Sequence, residues 1–264
     1  MYPCKEGNMM KHFLPRLLTL TVLLACQTVT HSANAQPLVF TSPLTQATVI
    51  ELFTSEGCSS CPPADRWLSR FKTDPRLWKE VIPLAFHVDY WNYLGWTDKF
   101  SKPAHSERQQ IYAAKGFARS VYTPGIFSNG REWRGWFRSP QLKSASDDNV
   151  GVLRVALQSQ ELTATFAPAQ PIDSPLQLNI AILGFDIHSP ISRGENQGTV
   201  LNHDFVILNL RTQKEKSAHH WQINRDELNL SQKYARAIAV WVSASDDPTP
   251  LQATGGWLAG EANQ

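Results

Sequence analysis

Cys58 and Cys61 bracket two serines in the run Gly57-Cys58-Ser59-Ser60-Cys61-Pro62-Pro63. Cysteines this close can form a disulfide, but the loop is too short for closure entropy to brace a large fold. The value of such a pair is chemical. One thiolate attacks a disulfide, and the second thiol resolves the mixed disulfide that results. A helix is expected directly after the pair, which puts Cys58 at a helix N-terminus. There, unpaired N–H groups and the helix dipole favour a thiolate. Cys58 is then the nucleophile and Cys61 the resolving thiol. Pro62 lacks an N–H, and an early helical position tolerates that loss. An inert structural pair is the plain alternative. Zinc is the weaker one, because it ordinarily takes four ligands. No second Cys pair exists, and His87, His105 and His203 would have to be gathered by the fold. No metal or separate cofactor is expected beyond a redox-active Cys58–Cys61 disulfide.

Glu51 lies in the strand that leads to the cysteines. A buried acid beneath a dithiol can take a proton from Cys61, its own pKa raised by desolvation. Glu56 is closer in sequence, and strand alternation decides which of the two points inward. His87 and Asp89 share strand parity near the same sheet end. Thr123-Pro124 is expected to form a proline loop beside the pair, presenting backbone polar groups to an extended substrate. Tyr90, Trp91, Tyr93, Trp96 and Phe100 crowd the connection over residues 89–100. Tyr90, Trp91 and Trp96, with Thr123 and Pro124, are the candidate substrate contacts. The plain reading of these aromatics is a core or interface filling.

These residues need particular elements to position them. Residues 36–47 read as a polar, Pro-containing lead-in, and 48–54 as a β-branched and aromatic strand. Residues 64–71 have helical periodicity, with Trp67, Leu68 and Phe71 on one face. Residues 81–88 form a second strand. A helix follows over 106–117, with Ile111, Ala114 and Phe117 buried and Glu107, Arg108 and Lys115 toward water. Asn129-Gly130 is the strongest short hairpin signal, with 132–137 as its return strand. Ser and Asp cluster over 139–149, which marks a domain boundary. Beyond it the pattern is mostly strand: a hairpin of 152–157 with 161–166, then 176–186, 200–210 and 235–243.

The chain of 264 residues is long enough for two small domains. A formal charge of +2 gives no basic face for nucleic acid. Lys11 and Arg16 precede a short apolar run over 17–25, and Ala33-Asn34-Ala35 follows. This is the three-part layout of a secretory leader. Leu24-Ala25-Cys26 partly matches a lipoprotein cleavage box, and lipidation of Cys26 is the rival expectation. Removal of 1–35 leaves only Cys58 and Cys61, an even count that suits an oxidising compartment.

The run Glu51-Leu52-Phe53-Thr54-Ser55-Glu56-Gly57-Cys58-Ser59-Ser60-Cys61-Pro62-Pro63-Ala64-Asp65 resembles the secreted bacterial family called domain of unknown function 1223. Further matching stretches are Phe86-His87-Val88-Asp89-Tyr90-Trp91, Leu94-Gly95-Trp96 and Ser120-Val121-Tyr122-Thr123-Pro124. A last one is Arg193-Gly194-Glu195-Asn196 with Gly198, Leu201 and His203. The resemblance covers nearly all of the chain after the leader and implies a thioredoxin-like fold. Members of the family commonly carry Gln after the proline, where this chain has Gly125, so inferences about the substrate groove weaken.

The expected fold class is α/β: a thioredoxin-like domain over 44–140, then a small β-rich, sandwich-like accessory domain over 150–264. The expected function is an exported thiol–disulfide oxidoreductase, periplasmic or secreted. Its partners would be a protein or small-molecule thiol or disulfide and a separate redox partner. No nucleic acid and no membrane span of the mature chain are expected. The alternative is a non-catalytic envelope binding protein with a structural disulfide. A peroxide-reducing enzyme is weaker, for want of a separate peroxidatic cysteine.

Overall fold

A computed structural model describes residues 36–138, 142, 147–215 and 218–258. The expected leader, its cleavage box and Cys26 lie outside the described residues, as does part of the expected boundary at 139–149.

The strands of the first half are β1 (Leu38–Thr41), β2 (Thr48–Thr54), β3 (Val81–His87), β4 (Gly125–Ser128) and β5 (Arg131–Glu132). Those of the second half begin with β6 (Gly151–Leu157), β7 (Glu161–Pro168), β8 (Leu176–Gly184) and β9 (Ile187–Pro190). They continue as β10 (Val200–His203), β11 (Val206–Lys214), β12 (His220–Asn224), β13 (Ala235–Ala244) and β14 (Asp247–Trp257). Helix α1 (Pro62–Ser69) follows β2, and α2 (Pro103–Ala114) follows β3.

The expected α/β thioredoxin-like class is overturned. Strand takes 44% of the described residues and helix 16%, with only two α-helices, and the strands assemble into large sheets. One eight-stranded sheet has the order β14-β13-β8-β11-β3-β2-β4-β5. It crosses the expected boundary, so the second half is not a separate accessory domain. The joint lies at β3. Its edge away from β2 would be unpaired if the first half stood alone, and an open edge is a liability. Instead β11 runs parallel to β3 with Val206 opposite Ala85, and the Ala85 N–H donates to Phe205 O at 2.9 Å.

Side-chain alternation then gives the shared sheet two cores. On β8, Leu178, Ile180 and Ile182 face a second, four-stranded sheet of order β1-β6-β7-β12. Ala181 and Leu183 face the other way, into the core that holds β2, β3 and α1. β13 divides in the same manner, with Ile238, Val240 and Val242 on one face and Ala237, Ala239 and Trp241 on the other. The four-stranded sheet and the shared sheet therefore pack as the layers of one sandwich, not of a separate accessory one. One of its sheets is the sheet that carries the cysteines.

Several local expectations change. The lead-in contains β1, which pairs with β6 and covers that strand's edge. The run 200–210 is two strands broken at Phe205, which has a left-handed φ of 60°. Asn129 and Gly130 make the hairpin turn, with φ of 44° and 75°. The return strand is only Arg131–Glu132, because Arg134–Phe137 coils into a 3-10 turn. In α2, Arg108 and Tyr112 are buried and Ile111 is 39% exposed, the reverse of the expected stripe. The cause is the buried carboxylate of Glu51, which draws the Arg108 guanidinium inward. No described helix is long and apolar enough to cross a membrane.

Candidate functional site

The parallel strands β2 and β3 end side by side, with Thr54 opposite His87. The chain leaves β2 through a tight turn in which the Cys58 N–H donates to Ser55 O at 3.2 Å. Gly57 fits tightly there, since a Cβ would come within 3.1 Å of the Trp91 Cβ. Helix α1 begins at Pro62 with Cys61 as its N-cap, so Cys58 sits in the turn just before the helix. The Cys61 carbonyl accepts the N–H groups of Ala64 and Asp65 at 2.9 and 3.1 Å. Cys58 and Cys61 form a disulfide, both sulfurs belonging to buried residues, while Ser59 and Ser60 are exposed. Ser60 Oγ lies 3.4 Å from Cys58 Sγ.

Glu51 is completely buried but not beside this pair. Its carboxylate takes two hydrogen bonds from Arg108, at 2.7 and 2.9 Å, and one from the Tyr112 hydroxyl at 2.8 Å. Along β2, Thr54 points to α1, where its hydroxyl donates to Asp65 Oδ1 at 2.9 Å. Residues 51 and 54 differ in parity, so Glu51 points to the opposite face, toward α2.

The acids near the cysteines are others. Asp65 lies one helical turn after Cys61 on α1, and positions four apart share a helix face, with Cβ atoms about 5–6 Å apart. Both are buried. Behind them, His87 Nδ1 and Asp98 Oδ2 are 2.7 Å apart, and that oxygen also accepts the Glu56 N–H at 2.9 Å. Glu56 Oε2 accepts the Trp96 indole N–H at 2.7 Å. Glu56 Oε1 lies 3.5 Å from His203 Nε2, within ion-pair distance. The rings of His87 and His203 meet edge to face, 5.0 Å between centroids. His87 Nε2 and both nitrogens of His203 are buried without a hydrogen-bond partner.

Burial raises the Asp65 carboxyl pKa above its ordinary value, and the nearby imidazoles only partly oppose this. Burial also works against protonated His87, yet the Asp98 carboxylate outweighs it and the His87 pKa rises. Desolvation pushes Asp98 upward, but His87 and the backbone N–H donors prevail and its pKa falls. Glu56 falls likewise, the hydrogen-bond donors around it outweighing burial. The cluster thus sets a carboxyl of raised pKa, Asp65, among carboxyls of lowered pKa, Glu56 and Asp98. Among the described residues, no group of His, Cys, Asp and Glu has the geometry of a metal site.

The remaining predicted contacts are dispersed around the cysteine turn. The Thr123–Pro124 bond is cis, and the Trp91 indole N–H donates to Thr123 Oγ1 at 2.7 Å. The Tyr90 hydroxyl donates to Gln109 Oε1 at 3.0 Å, and Gln109 Nε2 donates to Tyr122 O at 2.6 Å. Trp91 thus ties the proline loop to Gly57, and Trp96 holds Glu56. Gly125 fits tightly after Pro124, where a Cβ would meet Gln109 Nε2 at 2.9 Å. A cleft of about 630 Å³ opens next to Pro124, walled by Tyr122, Arg134, Trp136, Phe137 and Arg138.

Asp65 and Asp98 escaped the sequence reading. The helical spacing from Cys61 could have identified Asp65, whereas nothing local marks Asp98. Glu195 and Asn196 were visible only as part of a motif without a role. The Asn196 side chain donates to Glu56 O at 2.9 Å and Cys58 O at 3.0 Å. Glu195 Oε2 accepts the Ser59 N–H at 3.1 Å and the Ser59 hydroxyl at 2.7 Å.

Residues 49–243 match the profile of a family described as "Protein of unknown function (DUF1223)". Protein AGR_C_4864 from Agrobacterium tumefaciens is similar in structure, with a TM-score of 0.61 at 24% identity. That likeness covers 83% of this chain and 97% of the other. HBP35 of Porphyromonas gingivalis is similar with a TM-score of 0.53 at 15% identity, covering 83% and 77% of the two chains. At these identities the likenesses speak to the fold alone. No curated protein matches the chain.

Proposed function

The chain belongs to the DUF1223 family of proteins of unknown function, and from its site we propose an exported thiol–disulfide oxidoreductase that works through Cys58 and Cys61. The observation that carries this reading is the placement of the Cys58–Cys61 disulfide at a strand-to-helix turn, with the buried Asp65 one helical turn from Cys61. A disulfide placed only to brace the fold needs no acid of raised pKa behind it. Two buried imidazoles with unpartnered nitrogens support the same reading.

In the reducing direction, the Cys58 thiolate attacks one sulfur of a substrate disulfide. The substrate S–S bond breaks, a Cys58–substrate disulfide forms, and one substrate thiolate leaves. Asp65 accepts the Cys61 proton. The Cys61 thiolate then attacks Cys58 Sγ, releasing the second substrate thiolate and forming the Cys58–Cys61 disulfide. The substrate gains two electrons and the protein dithiol loses two, and the reverse sequence oxidises a substrate dithiol. A separate thiol or disulfide partner resets the pair. The Thr123–Pro124 loop and the cleft beside it receive the substrate, and Trp91 and Trp96 position the loop and Glu56. Export follows from the leader-like residues 1–35, which would place the pair in an oxidising compartment.

Exchange with a model peptide disulfide and its reduced dithiol tests the proposal. Cys58→Ser is expected to abolish exchange, and Cys61→Ser to accumulate a mixed disulfide on Cys58, read by intact mass. Glu51→Gln should destabilise the fold without slowing resolution, since its partner is Arg108. Absence of exchange in either direction, with Cys58 alkylating like an ordinary thiol of pKa about 8.5, would overturn the reading. The pair would then be a local clip in a non-catalytic binding protein.

A further inference from the structure

The motif Arg193-Gly194-Glu195-Asn196 lies more than a hundred residues from the cysteines in sequence, yet the fold brings it onto their turn. It sits in the connection between β9 and β10. That loop is closed on itself by Ile191 N–H to Thr199 O and Gly198 N–H to Ile191 O, both at 2.9 Å. Gly194, with φ of 77°, lies against Trp96, where a Cβ would come within 3.2 Å of the Trp96 Cβ. Asn196 is buried and bridges two carbonyls of the turn, those of Glu56 and Cys58. Glu195 is exposed, and one of its oxygens takes both donors of Ser59.

We infer that Glu195 tunes the redox pair: its carboxylate, fixed on Ser59 beside Cys58, holds back ionisation of the Cys58 thiol and shifts the couple toward the disulfide. The reasoning is electrostatic. The backbone N–H after Cys58 is a donor that would otherwise favour a thiolate at this turn. Glu195 occupies that donor and adds a negative charge at the residue that follows Cys58, and a like charge disfavours ionisation. A reduced state whose thiolate is less stable makes a less oxidising couple. Asn196 is the positioning partner, because it fixes the loop to the same turn through neutral groups. Other titratable groups packed around the turn are Glu56 of the turn, Asp65 of α1, His87 of β3, Asp98 of the following loop and His203 of β10. All are buried.

The inference deepens the oxidoreductase reading, but its measurements need no substrate. Glu195→Gln and Glu195→Lys are compared with the wild type in the full mature chain. The readouts are pH-dependent alkylation of Cys58 and the equilibrium of the pair with glutathione. Glu195→Gln is expected to lower the apparent Cys58 pKa by roughly half a unit or more. It should also move the glutathione equilibrium roughly threefold toward the dithiol. Glu195→Lys should go further in the same direction, and 1 M salt should narrow both differences because the carboxylate is exposed. A purely structural contact would lower the melting temperature of both variants and leave the Cys58 pKa and the equilibrium where they were. That result overturns the inference. Wild-type protein that titrates and equilibrates as described but exchanges no substrate disulfide would instead refute the oxidoreductase reading and leave the tuning intact.

Discussion

The buried acid one helical turn from Cys61 stands on the helix rather than on the strand. Asp65 is buried with its carboxyl pKa raised, chiefly by desolvation. A group raised in the folded state adds stability while it is protonated in both states. That contribution is lost as the pH climbs through the folded value. As its carboxyl ionises, Asp65 therefore weakens the fold. Asp65→Asn keeps an oxygen to accept the Thr54 hydroxyl and removes the charge. It is expected to stabilise the protein by on the order of 1 kcal/mol at pH 7, with the gain shrinking as the pH falls toward the ordinary aspartate value of 3.8. Thermal denaturation across that pH range reads the effect. A loss of stability equal at every pH would show that the lost charge is immaterial. The contrast with Glu51 is instructive. Removing one member of a buried, doubly hydrogen-bonded ion pair costs about 3–5 kcal/mol, so Glu51 belongs to the fold.

Elements near the cysteines are held by unequal devices. Helix α1 has no side-chain N-cap, because Cys61 occupies the position where Ser or Asp would contribute about 1 kcal/mol. A side-chain device holds the opposite end of β2. There the Asn129 side chain of the β4–β5 turn accepts the Val49 N–H at 2.7 Å and donates to Gln46 Oε1 at 3.2 Å. The left-handed φ at Asn129 and Gly130 suits the twist of a tight hairpin. Asn129→Ala strands the Val49 N–H inside the sheet and is expected to cost about 1–3 kcal/mol. Urea denaturation should show a lower midpoint with an unchanged slope, since the surface exposed on unfolding is the same. An unchanged midpoint would mean that the turn does not fix β2.

At the scale of the whole molecule, the cysteine turn is built by both halves of the chain. β11 completes the sheet at β3, and the β9–β10 loop clamps the turn. The Pro248 carbonyl accepts from Arg108 at 3.0 Å, and the guanidinium lies 5.5 Å from the Trp241 ring. Such a shared sheet has no cut that leaves both parts with satisfied edges and complete cores. The protein from residue 36 onward is expected to unfold in one calorimetric transition with matching calorimetric and van't Hoff enthalpies. A fragment ending at residue 150 should fail to fold. Two resolved transitions, or a folded fragment with a native Cys58–Cys61 pair, would show that the joint at β3 carries little of the stability.

The sequence by itself determined the strand-to-helix setting of the cysteines, because that setting is written in local signals. β-branched and aromatic residues over 48–54, the early prolines and the spacing of Trp67, Leu68 and Phe71 all act within a turn or two of chain. The hairpin turn at Asn129-Gly130 and the pair of strands around 158–160 were legible for the same reason. Family membership was legible from the separate matching stretches. Only the tertiary structure decided what lies around the sulfurs. Alternation sends Glu51 to the far face, but its direction is set by which face packs on α1, and no local pattern carries that. The burial of Arg108 follows from Glu51 on the sheet face that meets α2, against its own helix periodicity. Within the eight-stranded sheet the halves meet at one parallel bridge, Ala85 with Val206, whose residues look like any other strand residues. Glu195 and Asn196 reach the cysteine turn from 136 to 140 positions away. Contacts at such separation depend on strand order, which side-chain periodicity does not encode.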